Sequence, residues 1–102
     1  MKYTKKPIPI DAVKCIKENE AEIVSLLSSG STSWDYVKES GETVGFAIHS
    51  WEGAEAVYYD PSRNINGNGK PYWVIKGIKG ECYTCVSDDE DDAPLGYEPV
   101  EK

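Results

Sequence analysis

The sequence predicts a small α+β domain: a twisted, mainly antiparallel sheet of about five strands with one helix packed on one face. Three observations carry that expectation. One segment has apolar residues at helical spacing, residues 43–51 alternate apolar and polar, and "YWVIKGIKGECYTC" (72–85) holds two β-rich runs joined through glycines. With 102 residues the chain fits one domain, residues 1–102, with a single modest core.

The elements follow in order. "IPIDAVKCI" (8–16) is short and β-prone, with Pro7 and Pro9 confined to its start, which suits an edge strand. Lys5 and Lys6 beside these prolines are suited to guarding such an edge against unwanted pairing. In "NEAEIVSLLSSG" (19–30), Asn19 as N-cap and Glu22 three positions on make a capping-box arrangement, and Gly30 is a natural stop. Ile23, Leu26 and Leu27 then share one helical face.

Val44, Phe46 and Ile48 alternate with Thr43, Gly45, Ala47 and His49, the period-two pattern of a half-buried strand. Glu52-Gly53 lies between this strand and the next β-like run as a tight hairpin connection would. "PSRNINGNGKP" (61–71) reads as a surface loop. "GIKG" has glycine at both ends, permitting positive φ where a second hairpin reverses. "SDDEDDAPLG" (87–96) is an acidic loop, and "YEPV" (97–100) adds a short final strand.

The composition, 39% hydrophobic and 28% charged, is that of an ordinary globular protein. A formal net charge of -7 repels phosphates, so no direct nucleic-acid binding and no binding to anionic membranes is expected, while basic partners gain plausibility. Lysines cluster at Lys2, Lys5 and Lys6 and again at Lys70, Lys76 and Lys79, whereas residues 88–92 concentrate negative charge. The N-terminus lacks a continuous apolar stretch and no apolar run reaches membrane-spanning length, which predicts a cytoplasmic protein. Three cysteines without a secretory signal predict reduced thiols.

The opening "MKYTKKPIPIDAV", the "EG" turn, "YWVIKGIKGECYTC" and the closing "YEPVE" resemble a family of small bacteriophage and prophage proteins. Members of that family open with M-K-Y-R-K-K-P-V and carry W-I-I-K-G-V-K-G-E-F-Y-P-C before a terminal Y-E-P-V. The matching residues are Lys2, Tyr3, Lys5, Lys6 and Pro7, then Glu52 and Gly53. In the hairpin they are Trp73, Ile75, Lys76, Gly77, Lys79, Gly80, Glu81, Tyr83 and Cys85. Cys82 stands where the family pattern has an aromatic and Thr84 where it has proline, and the acidic segment and the 61–71 loop also depart from it. The resemblance implies a phage or prophage origin, in a bacterial host cell, and a compact fold; it implies no activity.

Several motifs invite chemistry. Cys82 and Cys85 form a C-x-x-C, but on a strand residues an odd number apart face opposite ways, so structural thiols are expected rather than a metal or redox pair. Cys15 and His49 complete a ligand set on paper only. His49 near a cysteine admits a nucleophile pair, against a plain surface histidine. A calcium loop starting at Asp88 fails in register, with Ala93 and Pro99 at the positions that need glycine and glutamate. "NGNGKP" lacks the upstream glycine and the Ser or Thr of a phosphate loop, so it reads as a turn.

The aromatic residues leave two readings open. Trp34, Trp51 and Trp73 with seven tyrosines exceed what one small core needs, and Tyr59 and Tyr72 should point away from buried neighbours. They make either an exposed recognition patch or a sheet covered on both faces. The patch expected from sequence comprises Tyr72, Trp73, Lys76, Lys79, Glu81 and Tyr83. The chain is thus expected to be a non-enzymatic phage accessory protein that binds a host or phage protein, without catalytic residues, metal or cofactor. A small-molecule binder of nucleotide type is the alternative, and a small enzyme ranks third. A homodimer through a sheet edge or an aromatic face is compatible with this outline.

Overall fold

The computed structural model describes residues 2–5, 8–50, 53–64, 67–87, 94 and 98–99. Among them, strands β1 (Lys2–Lys5) and β2 (Ile8–Lys14) precede the single α-helix, α1 (Glu20–Ser29). β3 (Ser33–Glu39), β4 (Glu42–Ser50) and β5 (Gly53–Tyr58) follow, then β6 (Tyr72–Lys76), β7 (Cys82–Val86) and the short β8 (Glu98–Pro99). All pairings between these strands are antiparallel. Among the described residues no helix is long and apolar enough to cross a membrane.

The α+β class and the single α-helix agree with expectation, but the strands divide between two antiparallel sheets rather than one. β7, β6 and β2 form the body of the first, extended through β1 to β8, and β3, β4 and β5 form the second. The second sheet escaped the sequence because β3 carries almost no period-two signal: only Trp34 and Val37 are half-buried and its other residues are exposed. Its connection to β4 is a two-residue primed hairpin in which Ser40 and Gly41 both take positive φ, 52° and 84°.

The edge-strand expectation for residues 8–16 is also corrected, because β2 lies between β6 and β1. Its one proline, Pro9, is tolerated for a reason of register, while Pro7 lies outside the described residues. Odd-numbered residues of β2 point their backbone toward β6, as Cys15 N–H donating to the Tyr72 carbonyl shows, and β6 ends opposite Asp11. Pro9 therefore faces beyond the end of β6, where a missing N–H costs no ladder bond.

The first sheet is buried on both faces. Val13, Cys15, Tyr72, Val74 and Cys82 face one way and pack with Ile23 and Leu27 of α1 and with Phe46, Ile48 and Val57 of the second sheet. Ile10, Ala12, Trp73 and Ile75 face the other way with Tyr83 and Cys85. The fully buried aliphatic and aromatic side chains stabilise the fold by about 1.5–3 kcal/mol each. Tyr72, expected to point outward, is only 7% exposed. Tyr59 packs on Phe46 at 5.9 Å between ring centroids and donates its hydroxyl to Glu20.

Both ends of α1 depart from simple capping. Asn19 occupies the N-cap but spends its amide on the Lys14 carbonyl, 3.1 Å, and makes no side-chain bond to the helix. Gly30 ends the helix at φ -90°, outside the left-handed region. Glycine is needed there for space: a Cβ would lie 2.6 Å from Cys82 Sγ and 2.6 Å from the Gly80 carbonyl oxygen.

The 61–71 segment is more organised than a plain surface loop. Asn64, 4% exposed, accepts from Tyr58 N–H at 2.9 Å and donates to the Lys70 carbonyl at 3.2 Å, tying both ends of the loop together. The expected acidic loop falls outside the described residues, apart from Ser87 and the buried Pro94, which bridge to one another. Glu52 of the β4–β5 turn lies outside them as well.

Candidate binding cleft between the two sheets

Where the edge of the first sheet meets the second, the molecule opens a cleft of about 590 Å³. Ser31 and Thr32 come from the connection between α1 and β3, Ser33 from the start of β3, Ile48 and His49 from β4, Glu55 from β5, Glu81 from the turn before β7, and Cys82, Tyr83 and Thr84 from β7. The close approach at Gly30 positions the first wall. Ser31 N–H donates to the Gly80 carbonyl at 2.8 Å, and the Thr32 hydroxyl accepts from Cys82 N–H at 2.8 Å.

The register shows which way β7 presents its backbone. Gly77 N–H donates to the Glu81 carbonyl and Ser87 N–H to the Pro71 carbonyl, so the odd-numbered residues of β7 bond β6. Cys82, Thr84 and Val86 therefore aim their N–H and C=O groups outward. Among the described residues β7 is the last strand of its sheet; Thr32 takes the outward N–H of Cys82, and Pro94 bridges Ser87 next to Val86. Thr84, between them, lines the cleft.

The side chains above this edge are hydroxyls and carboxylates. The Thr84 hydroxyl donates to Glu55 Oε1, linking the two sheets across the cleft. The Glu81 carboxylate turns back to accept from Lys79 N–H at 3.1 Å, and a Cβ on Gly77 would collide with it. His49 is held against Asp35 at 3.3 Å. Cys82 is buried, its Sγ lies 3.8 Å from the Gly80 carbonyl, and burial pushes its thiol up, away from a reactive thiolate. Cys82 and His49 thus line one cleft while each is engaged elsewhere, an arrangement that does not activate a nucleophile.

The six residues expected from sequence to form one patch are not brought together. Glu81 and Tyr83 line the cleft. Tyr72 is buried in the larger core, where burial raises its phenol. Trp73, 4% exposed, lies on the opposite face of the sheet and donates its indole N–H to Ser87. Lys76 donates to the Ser29 hydroxyl at 3.0 Å, and Lys79 sits exposed in the turn. Cys82 and Cys85 face opposite cores, as strand alternation requires, and Cys15 is a buried thiol pushed up to about 12. Among the described residues no group of three or more His, Cys, Asp or Glu is placed to hold a metal ion.

Sequence reasoning missed Ser31–Ser33, Glu55 and Thr84. The signal for Glu55 was present: in "GAEAVYY" it shares its strand face with Val57 and Tyr59, a carboxylate in an apolar register. Compared with family models, curated proteins and solved structures, the chain matches none.

Proposed function

We propose that this is a non-enzymatic binding protein whose cleft takes an extended segment of a partner polypeptide, adding it as a strand beside β7. The observation that carries the reading is the outward N–H and C=O of Thr84 at an edge strand that opens into the cleft. Strand addition uses such groups for affinity and the adjoining side chains for selectivity. The likeness to bacteriophage and prophage proteins supports a host or phage protein as partner, in the cytoplasm of a bacterial cell.

The test is capture of a partner by the intact protein, followed by amide hydrogen exchange on the complex. Slowed exchange at Thr84 is expected; a partner that leaves that amide unchanged and protects another surface refutes the reading. A small-molecule binder is the second reading, favoured by a cleft volume inside the usual ligand-pocket range of roughly 300–1,000 Å³. Its nucleotide form is disfavoured, since Lys76 and Lys79 are not among the lining residues. Absence of any thermal shift with nucleotides, and a clear shift with polyols or amines, is the expected pattern for that reading.

A further inference from the structure

The charged side chains that line the cleft are carboxylates, and the nearby Lys76, paired opposite Cys82, is turned to the Ser29 hydroxyl. Glu55 and Glu81 line it, Asp35 stands against its His49, and none of the described lining residues is Lys or Arg. The Glu55 carboxylate accepts from Thr84 through Oε1, and among the described residues Oε2 accepts no bond. The chain as a whole is at -7.

Building on strand addition at β7, we propose that the partner segment is basic, with a Lys or Arg directly opposite Thr84. Residues paired across two strands project to the same face, and the face of Thr84 is the one on which Glu55 stands. A cationic side chain at that position reaches the open Oε2, making a charge-assisted hydrogen bond in a half-enclosed site. Residues one position away on the added strand face the opposite side, toward Tyr83 and Cys85, where no carboxylate is required. The same charge argues against the other occupants of an open edge. Pairing β7 with its counterpart in a second copy would bring two sets of Glu55 and Glu81 together, and a nucleic-acid strand would bring phosphates to them.

The experiment is selection of a displayed random-peptide library on the intact protein, followed by affinity measurement on synthesised winners. Enriched peptides are expected to carry Lys or Arg at one fixed position. Replacing that residue by norleucine should weaken binding about tenfold, as should Glu55→Gln, which keeps an oxygen for the Thr84 hydroxyl. Raising the salt concentration should weaken the wild-type complex and leave the norleucine peptide little changed. Enrichment without a basic position, or equal affinity for Lys and norleucine peptides, overturns the charge inference and leaves strand addition standing; the peptide comparison holds even if the variant protein misfolds. N-methylation of the peptide backbone at the residue opposite Thr84 tests strand addition itself, and unchanged affinity there, or no enrichment at all, overturns both.

Discussion

Replacing Gly30 by alanine inserts one carbon where the structure has no room for it. The new Cβ would lie 2.6 Å from Cys82 Sγ and 2.6 Å from the Gly80 carbonyl oxygen, well inside contact distance. With φ at -90° the backbone itself accepts alanine, so the whole cost is steric. Forcing a methyl into a packed site costs typically about 1–3 kcal/mol. Pushing Gly80 away also stretches the 2.8 Å bond from Ser31 N–H, worth about 1 kcal/mol. Against these stands a gain of about 0.4–1 kcal/mol from restricting the unfolded chain. The net expectation is a loss of about 1–3 kcal/mol, read as a lowered urea midpoint at unchanged slope, with tryptophan fluorescence as probe. Because Sγ is one of the two atoms struck, Gly30→Ala should cost less in a Cys82→Ala background, with a coupling of about 1 kcal/mol. A midpoint equal to or above wild type refutes the reasoning that this glycine is kept for space, and additivity of the two substitutions refutes the named contact.

Three further outcomes are expected. Asn64→Ala removes the side chain that satisfies Tyr58 N–H and the Lys70 carbonyl in a nearly closed site, and should destabilise by about 2–3 kcal/mol in chemical denaturation; a change below about 0.5 kcal/mol would sink this account of the loop. The buried Cys15 thiol, pushed from 9.0 to about 12, favours the folded state fully below pH 9, and this stability is lost as pH rises from 9 toward 12. Each pH unit in that window removes up to about 1.4 kcal/mol, and Tyr59 and Tyr72, raised by burial, add to the loss at the alkaline end; a Cys15→Val variant whose stability falls as steeply from pH 9 contradicts this. The hydrogen bond from Arg63 holds Glu39 below the ordinary carboxylate range, so the pairing contributes above that range and fades as pH falls through the lowered value; an unshifted Glu39 titration by NMR would contradict it.

What the sequence alone determined is local and periodic. Ile23 and Leu27 at helical spacing, Phe46 and Ile48 on one strand face, and the odd spacing of Cys82 and Cys85 follow from turn and pleat geometry, and the structure places each as expected. The tertiary structure decided whatever depends on which surfaces meet. β3 was hidden because an exposed strand needs no apolar alternation, and its partner is chosen by the Ser40-Gly41 turn and the aromatic contacts of Trp34 and Tyr36 with Phe46. Tyr72 and Trp73 are both buried because the sheet is covered on both faces, a fact no single strand encodes. The cleft joins residues from four separate stretches of chain, and only the approach of Ser31 to Gly80 and of Thr84 to Glu55 brings them together.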